Sequence, residues 1–265
     1  MNVILENEVI LLVSLVLLAW MGYKFRALSL SGAFGTFVVG VLIVIGFKGE
    51  GLILIGAFFI SSSFWSKFSK KKKTKTVDLQ EKGSQRDIIQ VFANGGVPAG
   101  FSLGFFFFPS EAWLVGFITA IAVANSDTWA SEIGVLSKKK PISIKTLTPV
   151  ESGQSGAISG LGTAAAVVGS AFIAVISMFL WEEITWSMLV VITLLGIIGC
   201  FVDTVIGASL QAIYQCQNCG KVVERKFHCE QATTLIKGVT LVNNDVVNIC
   251  SILIVTTLAW VLYWV

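Results

Sequence analysis

Carboxylates, amides and hydroxyls stand together at the ends of strongly apolar stretches of this chain. Asp127 and Glu132 lie in Asn125-Ser-Asp-Thr-Trp-Ala-Ser-Glu132-Ile-Gly134, Asp203 opens Asp203-Thr-Val-Ile-Gly207-Ala-Ser-Leu-Gln211, and Asp245 sits in Asn243-Asn-Asp245-Val-Val-Asn248. Ionisable groups next to hydrocarbon are costly and by default mark an ion or substrate site. Four of them brought to one depth would form a cation-dependent site, with the neighbouring amides and hydroxyls as further polar contacts. Asp127, Glu132, Asp203 and Asp245 are therefore the candidate catalytic residues.

Spacing refines this. At 100° per residue, Asn125, Thr128 and Glu132 share one helix face, and Asp127 and Ser131 share another. Asp127 and Glu132 are about 140° apart on such a helix. They serve different purposes, or the helix ends near Ser131. Asp203, Gly207 and Gln211 form an i, i+4, i+8 stripe in which Gly207 would admit a close neighbour. Asn244 and Asn248 share a face, although Asn and Asp also cap helices. Asn94-Gly-Gly-Val-Pro-Ala-Gly100 reads as a break in a helix, a feature tolerated at membrane depth where it packs on protein or lines a wet cavity.

Two further segments could hold ligands. In Thr148-Pro-Val-Glu151-Ser-Gly-Gln-Ser-Gly156-Ala-Ile-Ser-Gly160, the run Gly153, Gln154, Ser155 and Gly156 precedes a helix start. Free amides and the helix dipole favour an anion there. With Lys138, Lys139 and Lys140 nearby, a polyphosphate site is expected, though no Walker A pattern is present. Cys216-Gln-Asn-Cys219 and His228-Cys229 supply four zinc-ligand types in one loop, 211–237. The first pair has knuckle spacing. The second is unusual, because adjacent side chains tend to point apart; free thiols are the alternative. His228 is the single histidine, which disfavours Ser-His-Asp, His-Glu-x-x-His and phosphohistidine chemistry.

The elements that position these residues are membrane helices. Of 265 residues, 55% are hydrophobic and 13% charged, and the mean hydropathy is +0.82. That composition belongs to an all-α polytopic transmembrane bundle. Spans fall at about 8–23, 28–47, 51–67, 88–108, 112–131, 157–180, 186–206 and 239–263. The first is short and the fourth is interrupted, so the count is about eight, with seven as the alternative. Lys24 and Arg26, then Lys70 to Lys73 with Lys75, Lys82 and Arg86, then Lys138 to Lys140, then Lys221 to Lys237 follow alternate spans. This alternation places the long loops in the cytoplasm and both termini outside. The lysine run is a topology and headgroup signal and not a nucleic-acid site. Residues 1–265 form a single integral membrane domain, multi-pass in the plasma membrane, with the polar clusters on the cytoplasmic side. Glu6 and Glu8 in place of a basic start argue against a cleaved signal peptide.

Taken together, Asn94-Gly-Gly, Asp127-Thr-Trp-Ala-Ser-Glu132-Ile-Gly134, Thr148-Pro through Ser159, Asp203-Thr…Gly207-Ala…Gln211, the Cys/His loop and Asn244-Asp245…Asn248 resemble the transmembrane protein 19 family, also called domain of unknown function 92. The resemblance covers the chain from roughly residue 25 onward. That family includes a plant plastid phytyl-phosphate kinase, which converts an isoprenyl monophosphate to the diphosphate using a nucleoside triphosphate, CTP in particular. The resemblance implies a Mg²⁺-dependent kinase with CTP favoured and an isoprenyl phosphate as acceptor, its tail among spans four to eight. Asp127, Asp203 and Asp245 would hold Mg²⁺. Asn94, Asn125, Thr128, Ser131, Gln211, Asn244, Asn248, the Gly153–Gly156 turn and Lys138 to Lys140 would contact substrate or nucleotide. A structural Zn²⁺ at Cys216, Cys219, His228 and Cys229 is the second expected metal. The rivals are a lipid or small-anion transporter and a CTP-dependent cytidylyltransferase acting on a lipid phosphate. Chain length of the acceptor and oligomeric state stay open.

Overall fold

A computed structural model describes residues 7–70 and 85–264. Among these residues there are seven α-helices: α1 Glu8–Lys24, α2 Leu30–Lys70, α3 Ile88–Phe107, α4 Glu111–Gly134, α5 Gly160–Leu180, α6 Trp186–Leu210 and α7 Asn244–Trp264. Polar caps start several of them. Asn7 accepts from the Val9 and Ile10 amides, Ser159 from Gly162 and Thr185 from Met188. Asp87 and Gln90 form a reciprocal capping box at the head of α3. Such caps supply the acceptors that the first-turn amides lack.

α2 contains a reversal. Lys48 leaves helical space with φ 46 and ψ −136, and Gly51 lies against the Ile43 side chain. Residues eight apart in a straight helix would be about 12 Å apart along its axis, so the chain doubles back at Lys48. The Lys48 ammonium, 3.5 Å from Glu8, sets this turn beside the start of α1. The two limbs match predicted spans two and three. Each expected apolar segment therefore has a helical counterpart. α2, α3, α5, α6 and α7 are each long and apolar enough to cross a membrane, and the chain is a helical membrane protein.

α4 is the centre of the bundle. It packs against α2, α3, α5, α6 and α7, and every residue from Leu114 to Ser126 is buried. Phe47, Phe105, Phe117 and Trp181 close the end of the bundle opposite the polar motifs, with Phe47 ring centroids 4.6 Å from Phe105 and 4.4 Å from Phe117. The connection from α4 to α5 carries β1 Ile142–Ser143 and β2 Ala157–Ile158, paired antiparallel. The connection from α6 to α7 carries β3 Ile213–Gln215, β4 Val222–Val223, β5 Phe227–His228, β6 Gln231–Ala232 and β7 Thr234–Lys237. Here β4-β3-β7 form one sheet and β5-β6 a hairpin.

One expectation is corrected. α3 runs without a break through Asn94 to Gly100, with Pro98 inside it. Pro98 withholds a donor only from the Asn94 carbonyl. The small residues serve packing instead: a side chain at Gly95 would meet Val39 of α2 at 2.9 Å. Lys71, Lys72, Lys73, Lys75 and Lys82 lie outside the described residues.

Close packing also joins α6 to α4, where a Cβ at Gly199 would stand 2.5 Å from the Val123 methyls. Gly199→Leu should force these helices apart at a cost of about 1–3 kcal/mol, read as a lower unfolding temperature in detergent. Gly100→Leu, with nothing within 4 Å of its Cβ position, should leave that temperature unchanged.

Candidate active site

A cavity of about 490 Å³ opens at the end of the bundle where the polar motifs meet. It is within the size range of small-molecule sites. The last turns of α4 and α6 and the first turns of α3 and α7 line it, together with the α5 N-cap and the 152–157 loop. Asp127, Glu132, Asp203 and Asp245 all border it. Carboxylates from three helices, far apart in sequence, thus share one space.

α4 continues helically to Gly134, so Asp127 and Glu132 address different neighbours. Asp127 faces α6, with its Oδ1 3.9 Å from the Cys200 thiol. Cys200 is three residues before Asp203 on the same helix, which brings Asp203 beside Asp127. Asp203 Oδ2 accepts from Ser251 of α7 at 3.0 Å. It also accepts from the Asn248 amide at 3.0 Å, in the amide orientation that satisfies both groups. Glu132 points instead to the second limb of α2. Its Oε1 accepts from Ser66 at 2.8 Å and its Oε2 from Ser69 at 2.6 Å.

The same α2-facing side of α4 carries Asn125. Its amide donates to the Gly169 carbonyl of α5 at 2.7 Å, and its oxygen accepts from Ser61 and Ser62 at 3.3 and 3.4 Å. Asn125 is fully buried and does not line the cavity. It clasps three helices. Thr128 and Ser131 do line the cavity, and their hydroxyls donate back to Ala124 and Thr128 carbonyls.

Gly153, Gln154, Ser155 and Gly156 form one wall. Their placement depends on the α6 stripe. Ser155 donates to Gln211 Oε1 at 2.6 Å. A Cβ at Gly207 would stand 2.6 Å from the Ser155 hydroxyl, and one at Gly156 (φ +79) would meet the Ala208 backbone at 2.6 Å. Asp203 thus faces the cavity while Gly207 and Gln211 dock the loop; Gln211 itself is outside the cavity wall. Lys138, Lys139 and Lys140 are also outside it. Lys140 is exposed and pairs with Glu151 at 2.9 Å, and a solvated lysine has no reason to turn inward. Asn94, Asn244 and Asn248 line the cavity.

Several wall residues were not anticipated, among them Arg86, Gln90, Ser66 and Glu224. Arg86 is gripped by backbone bonds to Ala27 and Ser29 and lies 5.9 and 5.7 Å from the Phe58 and Phe59 rings. Burial works against its charge and lowers its pKa, while the nearby Glu132 opposes that shift. The capping signature Asp87-Ile-Ile-Gln90 would have revealed a helix start directly after Arg86. Nothing local points to Glu224, which arrives through the folding of the α6–α7 loop. Arg86, Gln90 and Asn94 also border a second, apolar groove of about 60 Å³ among α1, α2 and α3. Gly56 faces that groove, buried, with no atom within 4 Å of its Cβ position.

The donor set suits a hard divalent cation. Mg²⁺ takes one or two carboxylates and completes its shell with water and phosphate oxygens. Asp127 and Asp203, adjacent and on different helices, supply such oxygens, and Asp245 lines the same cavity. Among the described residues, the one group whose ligand atoms already converge is Cys216, Cys219, His228 and Cys229. There the Cys219 amide, followed by His228, lowers the Cys216 thiol to about 6.

A family model described as integral membrane protein DUF92 matches residues 13–256. An uncharacterised membrane protein of Methanocaldococcus jannaschii is 36% identical over 77% of this chain and 84% of its own length. Protein PGR of Arabidopsis thaliana is 31% identical over 91% of both chains. Protein VTE6, chloroplastic, of the same plant is 29% identical over 85% of this chain and 62% of its own length. No solved structure matches.

Ser155→Ala and Gln211→Ala should each free the 150–157 loop and speed its cleavage in limited proteolysis. Because the two side chains share one bond, the double variant should be cut no faster than the faster single variant.

Proposed function

This chain belongs to the DUF92 integral membrane family, and on that premise we propose that it is a membrane-embedded kinase making isoprenyl diphosphates from the monophosphates, with a nucleoside triphosphate, CTP by preference, as donor. The observation that carries this reading is the adjacency of two unlike spaces. A polar cavity rimmed by carboxylates and an apolar groove share Arg86, Gln90 and Asn94 as wall residues. An acceptor with a phosphate head and a hydrocarbon tail matches that pair of surfaces. On this reading the first carbons of the tail would lie against the groove between α1, α2 and α3, next to the phosphate, where the resemblance implied a tail among spans four to eight.

Phosphoryl transfer asks for positioning and charge neutralisation more than for covalent chemistry by the protein. Three helix starts, those of α3, α5 and α7, border the cavity, and their amide ends favour phosphate groups. The docked Gly153–Gly156 loop would add backbone donors to the triphosphate. Arg86 would hold the acceptor phosphate, with Gln90 and Asn94 as neutral contacts. Asp127, Asp203 and Asp245 would hold Mg²⁺, which when bound offsets the charge of the transferring group. Glu132, with both oxygens engaged by Ser66 and Ser69, would keep α2 and Arg86 in register; it is a positioning residue. In the reaction, an oxygen of the prenyl phosphate bonds to the γ-phosphorus. The bond from that phosphorus to the β–γ bridging oxygen breaks, and that oxygen leaves with the nucleoside diphosphate. The acceptor is already anionic, so no histidine base is needed. The cavity would face the cytoplasm, where the triphosphate resides.

The test incubates the purified protein with geranylgeranyl or phytyl monophosphate, Mg²⁺ and each triphosphate. Prenyl diphosphate and nucleoside diphosphate are expected from the wild type. Asp127→Asn and Asp203→Asn should each lower kcat by about 100-fold or more, and Arg86→Gln should raise KM for the acceptor. Gly56→Leu, which fills the groove, should raise KM about 10-fold for a geranylgeranyl tail and leave a five-carbon acceptor unaffected. Release of pyrophosphate would redirect the assignment to a cytidylyltransferase. No product with any nucleotide or tail would overturn it.

A further inference from the structure

The loop between α6 and α7 contains a second ligand arrangement that the kinase reading does not use. Cys216 follows β3, and the chain turns tightly so that the Cys216 amide donates to the Lys221 carbonyl and the Gly220 amide donates to the Cys216 carbonyl, both at 2.9 Å. Gly220 supplies the positive φ, +71, that this turn requires. The turn presents the Cys216 and Cys219 thiols on one side. Across from it, β5 and β6 are joined by Cys229 and Glu230, with φ of 50 and 61. Two consecutive left-handed residues are the conformation of a two-residue hairpin turn, usually made by Asn and Gly. That conformation overcomes the obstacle the sequence raised. It swings the Cys229 side chain to the same side as its neighbour His228, where an extended backbone would send them apart. His228 Nδ1 lies 3.4 Å from Cys219 Sγ and 3.2 Å from Cys229 Sγ. All four ligand atoms lie within 4.8 Å of one another. A tetrahedral zinc with Zn–S of about 2.3 Å and Zn–N of about 2.0 Å places its ligand atoms about 3.5–3.8 Å apart.

We propose that Cys216, Cys219, His228 and Cys229 bind one structural Zn²⁺, and that this ion clips the segment carrying Glu224 over the mouth of the large cavity. The ligand chemistry selects the metal: three soft thiolates and an imidazole in a compact set suit zinc, and magnesium or calcium prefer oxygen. Four protein ligands close the shell, so the ion is structural and takes no part in chemistry. The position in the fold supplies the consequence. The outer strands are tied to the bundle through Val239 to Leu210 and Ala212 to Val242 backbone bonds. The inner part, between the two ligand turns, holds Glu224, which reaches the cavity wall. Val223 is the one buried hydrophobic residue of that inner part, packed with Ala212 and Tyr214 from before the first ligand turn. A cross-link between the two turns orders it at little cost in other contacts.

The experiment measures metal in the full-length protein purified in detergent without chelator. Elemental analysis should find one zinc per chain. Cys219→Ser and Cys229→Ser should each lower that content about 10-fold or more, while Cys250→Ser, in α7 and away from the cluster, should retain it. His228→Cys should keep zinc with a four-thiolate shell and His228→Ala should lose it, which separates a lost ligand from a lost fold. Removal of zinc by chelator should speed proteolysis within 216–230 without changing helical circular dichroism. A protein that carries no zinc and takes up none from added Zn²⁺ under reducing conditions overturns the proposal. So does a Cys219→Ser variant with the wild-type zinc content. Metal content is read without any kinase assay, so this outcome is independent of whether the acceptor and nucleotide are those proposed above.

Discussion

A hydrocarbon solvent offers no hydrogen bonds, and every polar group carried into it must find a partner on another helix. α4 lives under this constraint more than any other element. It is surrounded on all sides, yet its second half reads Asn-Ser-Asp-Thr-Trp-Ala-Ser-Glu. The bundle answers with one partner helix for each polar face. Ser61, Ser62, Ser66 and Ser69 of α2 receive Asn125 and Glu132. α5 receives Ser126 through the Ala166 carbonyl and Asn125 through the Gly169 carbonyl. α6 approaches closely at Gly199 and brings Cys200 and Asp203 to Asp127. What looks like a string of functional residues is therefore two populations, one that holds helices together and one left facing the cavity.

The cavity is built from ends. Helix starts from α3, α5 and α7 carry partial positive charge toward it, and carboxylates from α4, α6 and α7 line it. In the proposed reaction the helix starts would favour the phosphate groups and the carboxylates the metal ion that accompanies them. Arg86 adds a fixed cation at the junction with the apolar groove. Its backbone is pinned between α1 and α2 by Ala27 and Ser29, so its position follows from the packing of the N-terminal helices. This links the N-terminal spans, poor in polar motifs, to a site otherwise made by the rest of the chain.

The two polar connections have separate duties. The α4–α5 segment lays its glycine loop against α6, using the space at Gly207 and the Gln211 side chain. The α6–α7 segment forms a small sheet and a hairpin whose turns gather thiols and an imidazole. Both fold back over the same cavity, so the membrane bundle supplies the charged floor and the loops supply the walls.

Much of this was legible in the residues alone. Apolar segments long enough to span a bilayer, bounded by lysines on alternate loops, identify the helical bundle, because hydrophobic length is a one-dimensional property. The helical periodicity of α4 separated Asp127 from Glu132, since angular position on a helix also follows from sequence. The structure alone decided which polar side chains are spent on packing. Asn125 joins three helices and Gln211 holds the glycine loop, and neither lines the cavity; the Asn94–Gly100 stretch looked like a break and is a close-packed helix. Arg86, Ser66 and Glu224 entered the site, and Lys138 to Lys140 stayed outside it. Those outcomes depend on which faces meet across long sequence separations, and no spacing along a single segment encodes that.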